Sequence, residues 1–112
     1  MKTMSMQWAT GAVMLALAGP AAAQQMDAKQ AEALMAKAGC NACHALDKKG
    51  VGPSYKEVAA KRKGDPKAAE TLIQKVRAGG AGVYGQVPMP PNPAAKIGDD
   101  DLKGLVGWIL TL

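Results

Sequence analysis

The apolar positions of the first predicted segment recur at helical spacing. Residues 27–38, "DAKQAEALMAKA", place four apolar side chains three or four positions apart, with Lys and Glu between them: Ala31, Leu34, Met35 and Ala38. This period predicts an amphipathic helix that runs into Cys40. Residues 54–63, "SYKEVAAKRK", predict a second helix, in which Ser54 and Glu57 form a capping box and which Gly64 ends.

Two further helices are predicted in the second half of the chain. Asp65 and Pro66 suit the N-cap and first turn of a helix, whose buried stripe would be Leu72, Ile73 and Val76. Asp99 begins a last helix that reaches the C-terminus, and its apolar face would be Leu102, Leu105, Val106 and Ile109. Residues 79–98, here called the 79–98 loop, are too rich in Gly and Pro for helix or strand, and long ordered loops are commonly functional. We therefore predict an all-α fold of three to four short helices joined by irregular loops.

The first 23 residues have the order of a secretory signal peptide. A basic residue, Lys2, precedes a short apolar run from about Ala9 to Ala18, and small residues follow at positions 21–23. The alternative is a membrane anchor, but a spanning helix needs about 20 apolar residues. We expect residues 1–23 to be cleaved and residues 24–112 to form one domain without stable membrane insertion.

The composition of residues 24–112 indicates that the domain needs a cofactor. There is no Phe, the aromatic residues are Tyr55, Tyr84 and Trp108, and the other apolar residues are largely Ala. So small a domain with so thin a core is marginal unless something bulky completes it. The net charge of +4 left after removal of Lys2 suits steered encounter with an acidic protein. We expect no nucleic-acid partner, because aromatic and basic residues are not interleaved.

Both cysteines and the only histidine of the chain lie in "CNACH", residues 40–44. A thioredoxin-like dithiol needs a preceding strand, whereas a helical pattern precedes Cys40 here. A structural zinc site needs four ligands, and only three are present. A disulfide between Cys40 and Cys43 would close too small a loop to constrain much. Cys-x-x-Cys-His is the c-type haem attachment signature, so we predict thioethers at both cysteines and His44 as proximal iron ligand.

Met89 is the predicted second iron ligand. With the only histidine used, the sixth ligand would have to be a Met, a Lys or a backbone group, and Met89 lies in "QVPMPPNP". The prolines at 88, 90, 91 and 93 fix φ along this segment, which would hold the sulfur in place. Met26, expected at the frayed start of the domain, and Met35, expected in the core, are weaker candidates. His/Met ligation raises the reduction potential and leaves no open iron site, as suits electron transfer.

These segments together resemble the class I bacterial cytochromes c. "CNACH", "GVGPSYKEVAAK", "GVYGQVPMPPN" and the terminal "LVGWIL" carry the resemblance, which covers residues 27–112 and is closest to the small cytochrome c-551 type. It implies an all-α fold around one covalent haem c in a central crevice. It also implies single-electron transfer between respiratory proteins in the periplasm.

The resemblance also implies roles for individual residues. The Pro53 carbonyl would accept from the imidazole of His44, and Asn92 would hydrogen-bond near the ligand sulfur. Tyr84 stands where Trp is common and would contact a haem propionate, as would Lys75. Gly39 and Trp108 would form the crossing of the first and last helices.

Other residues could border the haem, although ordinary roles are equally open to them. Gly79, Gly80, Gly82 and Gly85 indicate backbone at positive φ or close to a flat group. Five side chains could line the haem pocket or simply pack in the core: Val51, Val58, Leu72, Ile73 and Val83. Four lysines could ring the haem edge or be ordinary surface residues: Lys37, Lys48, Lys49 and Lys96.

The sequence thus predicts a periplasmic, monomeric, monohaem electron carrier with no enzymatic chemistry of its own. The resemblance suggests nitrite reductase, a terminal oxidase or a quinol-oxidising complex as partners, docked weakly and transiently. Two rival hypotheses are a haem-based ligand binder, in which Met89 dissociates, and a haem-free disulfide exchange factor.

Overall fold

The described part of the chain consists of four α-helices and the loops that join them. The structure is a computed structural model that describes residues 11–14 and 25–112. The helices are α1 (Ala28–Ala38), α2 (Tyr55–Lys61), α3 (Ala68–Ala78) and α4 (Asp99–Ile109), and a 3₁₀ turn, Cys40–Ala42, follows α1. Within residues 25–112 the only bridge pairing is an isolated antiparallel one between Gly80 and Met89. The predicted all-α fold is confirmed.

The predicted signal peptide lies outside the described residues except for positions 11–14, which are exposed and have no regular structure. Among the residues that the structure describes, no helix has the length and apolarity needed to cross a bilayer.

Capping boxes begin α1 and α2. The Asp27 carboxylate accepts from the Gln30 backbone N–H at 2.8 Å, and the Gln30 side chain accepts from the Asp27 N–H at 3.1 Å. Ser54 and Glu57 exchange the same pair of bonds at 3.0 and 3.1 Å, as the sequence predicted. These bonds satisfy N–H groups that the first turn of a helix leaves without partners, so both helix starts are fixed locally.

Three predicted helix limits are corrected. α2 ends at Lys61 rather than next to Gly64, because the Lys63 N–H donates to the Ala60 carbonyl three residues back, at 3.4 Å. α3 begins at Ala68 rather than at Asp65, because the Asp65 carboxylate accepts from the Lys67 N–H at 2.9 Å. The Ala68 N–H then bonds the Asp65 carbonyl at 3.2 Å, a three-residue spacing that makes a turn before the helix. α4 ends at Ile109 and not at the C-terminus, since Thr111 and Leu112 donate to carbonyls three residues back.

The core lies around α4, which contacts the other three helices. Its members are nearly all small or medium apolar residues: Ala31, Met35, Ala38, Tyr55, Leu72, Ile97, Leu102, Leu105 and Val106. Ile73, Val76, Trp108 and Ile109 are half-buried against this cluster. Met35 is therefore a core residue, as expected, and the predicted faces of α3 and α4 are the faces that pack.

The expectations for Gly39 and Met26 are corrected. Gly39 does not provide a close crossing with Trp108, because a Cβ added at Gly39 would meet only Lys96 Cε, at 4.0 Å. Gly39 instead ends α1 in the left-handed conformation, at φ 74°. Met26 is half-buried rather than frayed: a Cβ added at Gly104 of α4 would lie 2.8 Å from Met26 Cε. The methionine thus anchors the segment before α1 on α4.

The cap of α2 should support the histidine next to it, because Ser54 follows the carbonyl to which His44 bonds. We expect Ser54→Ala to lower the free energy of unfolding by about 1 kcal/mol, and Asp27→Ala to do the same at α1. Only Ser54→Ala should also accelerate hydrogen exchange at His44 Nδ1, measured by NMR. Equal exchange in both variants would show that the cap does not support the histidine.

Candidate functional site

The "CNACH" segment forms a tight turn at the end of α1. After Gly39, the backbone N–H groups of Cys43 and His44 both donate to the Cys40 carbonyl, at 3.3 and 3.1 Å. Both cysteines are free and half-buried. Burial raises the pKa of the Cys40 thiol, although the charge of Lys96 opposes the shift. Burial thus makes the Cys40 thiol a weaker nucleophile than an exposed thiol.

His44 is oriented by the segment that leads into α2. Its Nδ1 lies 2.7 Å from the Pro53 carbonyl oxygen. A carbonyl can only accept, so Nδ1 carries the proton and the Nε2 lone pair is left for a ligand bond. The Gly52 N–H donates to the Cys43 carbonyl at 2.8 Å, which holds the two segments together. The structure therefore presents His44 in the tautomer that a metal ligand requires.

Gly52 permits this arrangement, a role that was not predicted. A Cβ at Gly52 would lie 2.6 Å from His44 Cε1 and 2.9 Å from Nδ1. Only a glycine lets the backbone pass so close to the imidazole ring. Residue type alone does not distinguish Gly52 from the other glycines of the chain.

Tyr55 packs against His44, a role that was not predicted. Its ring stacks on the His44 ring with centroids 5.5 Å apart and an interplanar angle of 28°. Its hydroxyl donates to the Asn41 side-chain oxygen at 3.2 Å. Burial, and to a lesser degree the nearby Cys40, raise the pKa of Tyr55. The phenol therefore stays a donor and ties α2 to the cysteine turn.

The 79–98 loop places Met89 by backbone contacts. Gly80 and Met89 exchange two backbone hydrogen bonds of 2.9 Å. Gly79, at φ 68°, passes so close to Met89, Pro90 and Pro91 that a Cβ would overlap their backbone atoms. The predicted positive φ values are confirmed at Gly79, Gly80, Gly82 and Gly85. Met89 itself is half-buried.

Asn92 joins the 79–98 loop to α3. Its backbone N–H and its Nδ2 both donate to the Val76 carbonyl at 3.1 Å, and Nδ2 also donates to the Pro90 carbonyl at 3.0 Å. The two Nδ2 hydrogens are thus both given to carbonyls. These carbonyls need donors because the prolines of the loop have no N–H to offer. The bond of Asn92 near the ligand sulfur stays a prediction.

Tyr84 and Lys75 are the two residues predicted to contact a haem propionate. The Tyr84 hydroxyl is buried and has no hydrogen-bond partner among the described residues, while Lys61 Nζ lies 4.6 Å above the Tyr84 ring and donates to the Val83 carbonyl at 3.3 Å. Lys75 is half-buried, and a Cβ at Gly80 would lie 3.1 Å from its Nζ. A buried hydroxyl without a partner calls for an acceptor from outside the protein chain.

Comparison with known proteins decides the family. The sequence model of the family "Cytochrome c" matches residues 28–112. This chain belongs to the cytochrome c family. It is 50% identical over 80 residues to cytochrome c-551 of Azotobacter vinelandii, which covers 71% of this chain and 94% of that protein.

Solved cytochromes share the fold as well. The crystal structure of Nitrosomonas europaea cytochrome c552 matches with a TM-score of 0.67 and 46% identity, over 72% of this chain and 98% of that one. The class 1 cytochrome MtoD of Sideroxydans lithotrophicus ES-1 matches with a TM-score of 0.67 and 36% identity, over 76% of this chain and 95% of that one. The chain is thus a class I cytochrome c close to the c-551 type.

Members of this cytochrome family carry one covalently attached haem c, and the residues present here fit that group. The buried Tyr84 hydroxyl offers a donor for a carboxylate edge. Exposed apolar side chains flank the histidine and methionine segments, where a large flat apolar group would cover them: Leu46, Val51, Val83 and Val87. Of the five predicted pocket residues, Val51 and Val83 are exposed, Val58 and Ile73 half-buried and Leu72 buried.

Within residues 11–14 and 25–112 no three His, Cys, Asp or Glu side chains cluster as metal ligands.

Proposed function

We propose that this cytochrome c is a periplasmic electron carrier with its haem bound through Cys40 and Cys43 and its iron ligated by His44 and Met89. The observation that carries the proposal is the His44 Nδ1–Pro53 hydrogen bond of 2.7 Å, which leaves Nε2 as the ligating nitrogen. The fixed backbone of Met89 supports the second ligand.

The bound haem would supply an iron that alternates between the ferric and ferrous states. The chain's own residues would keep the two ligands in place while this happens. Pro53 holds the imidazole, Tyr55 stacks on it, and the bridge to Gly80 fixes the backbone of Met89. Ligands that move little on a change of charge favour fast outer-sphere transfer, whereas an open iron site would favour ligand binding.

We also propose that residues 1–23 direct export and are removed, leaving residues 24–112 as a monomer. Redox proteins such as nitrite reductase, a terminal oxidase or a quinol-oxidising complex are the proposed partners. The excess of basic residues supports brief, charge-steered docking.

The function is tested by voltammetry and carbon monoxide binding on protein purified from the periplasm. We expect one reversible one-electron wave, and no carbon monoxide binding to the ferrous protein at neutral pH. Ready binding of carbon monoxide would indicate an open iron site and favour the ligand-binding hypothesis. An intact mass that retains residues 1–23 would contradict cleavage of the signal peptide.

A further inference from the structure

Arg77, near the end of α3, joins three separate parts of the chain. Its Nη1 donates to the Asn92 carbonyl at 3.1 Å and to the Ile97 carbonyl at 2.7 Å. Its Nη2 pairs with the Asp99 carboxylate at 2.6 Å. The planar guanidinium can serve these acceptors together, whereas a single ammonium presents its donors from one point.

The two carbonyls depend on this side chain. Asn92 and Ile97 are each only 5% exposed, and among the described residues no backbone N–H donates to either carbonyl. The prolines at positions 90, 91 and 93 have no N–H to offer. Arg77 therefore satisfies buried acceptors that the loop cannot satisfy for itself, and an unsatisfied buried acceptor is strongly disfavoured.

The contacts of Arg77 lead directly to Met89. Asn92 bonds the Val76 carbonyl next to Arg77 and, through Nδ2, the Pro90 carbonyl. Pro90 adjoins Met89, whose backbone is paired with Gly80. The loop segment 89–92 is thus fixed at Met89 by the Gly80 pairing and after Met89 by Asn92 and Arg77.

We propose that Arg77 is a positioning residue that keeps the Met89 thioether at the haem iron by holding the 79–98 loop closed. The inference rests on the proposed His44/Met89 ligation and adds a residue that controls it. Without the guanidinium, the two carbonyls would gain partners only by reaching water, which favours an opened loop. A larger open population would make the sixth iron position accessible to outside ligands.

The test is a titration of the ferric protein with imidazole, which must displace Met89 to bind. The apparent affinity rises in proportion to the open fraction, so we expect Arg77→Leu to bind imidazole roughly tenfold more tightly. Asp99→Asn is the matched control: it removes the ion pair with the exposed carboxylate and keeps both carbonyl bonds. Its imidazole affinity should stay within about twofold of wild type, because exposed ion pairs contribute little.

Arg77→Lys tests whether the shape of the guanidinium matters. Arg77→Lys keeps the charge but not the fork, so its affinity should lie between those of wild type and Arg77→Leu. If Arg77→Leu fails to fold, this variant carries the test, and wild-type affinity in it would overturn the proposal. A lower melting temperature in Arg77→Leu with unchanged imidazole affinity would equally overturn it, since Arg77 would then be structural only.

Met89→Ala separates this proposal from the ligation on which it depends. If Met89→Ala binds imidazole more tightly and Arg77→Leu does not, the role of Arg77 is wrong and the ligation stands. If Met89→Ala binds imidazole as wild type does, Met89 is not the ligand and both proposals fall.

Discussion

Gly79→Ala is expected to destabilise the protein by about 3 kcal/mol or more and to displace Met89. Gly79 has φ 68° and ψ −155°, a region that only glycine enters readily, at a cost of about 1–3 kcal/mol for other residues. The new Cβ would also lie 2.8 Å from Pro90 C and 2.9 Å from Pro91 N. These are backbone atoms of prolines, so the segment cannot yield as a flexible side chain would.

Gly64→Ala separates strain from overlap in that experiment. Gly64 also has a positive φ, 79°, but a Cβ there meets nothing within 4 Å. Gly64→Ala should lower the free energy of unfolding by about 1–2 kcal/mol, through backbone conformation alone. Denaturant unfolding of both holoproteins measures the difference, and the ferric spectrum reports Met89 displacement. Equal destabilisation of the two variants would show that the contact with the methionine segment contributes nothing.

Gly52→Ala should disturb the histidine side of the site. Its Cβ would lie 2.6 Å from His44 Cε1 and 2.9 Å from Nδ1, so the imidazole or the 50–53 segment must move. We expect Gly52→Ala to lower the free energy of unfolding by about 1–3 kcal/mol, as at other overpacked sites. The His44 Nδ1–Pro53 bond should weaken, and NMR should show faster exchange of the Nδ1 hydrogen.

Gly107→Ala is the control for this second prediction. Gly107 lies in α4, and a Cβ there meets nothing within 4 Å. Alanine inside a helix should stabilise the protein by about 0.5–1 kcal/mol and leave His44 exchange unchanged. Unaltered exchange in Gly52→Ala would contradict the claim that Gly52 makes room for the imidazole.

The helices could be predicted because their signals are local. The period of α1 and the capping box of α2 depend on residues three or four positions apart, and the structure confirms both. The start of α3 was missed because the Asp65 side chain can cap either a helix or the turn before it. Residue type and spacing do not distinguish these two outcomes.

The candidate ligands could also be selected from the sequence, because CNACH is a compact motif and Met89 stands in a rigid proline segment. The supporting contacts could not be selected in the same way. Arg77 reaches carbonyls 15 and 20 residues away, and Gly52 matters only because the imidazole of His44 packs on it. Such contacts arise from tertiary structure, and no local pattern reports them.

The optical spectrum of the ferric protein, compared between wild type and Met89→Ala, tests the central claim most directly. Both proteins would be purified from the periplasm and assayed as pyridine haemochromes to show two-thioether haem. His44/Met89 ligation predicts sharp low-spin bands and a weak far-red ferric band that is present in wild type and lost in Met89→Ala. A high-spin wild-type spectrum, or a far-red band that survives the substitution, would contradict the account.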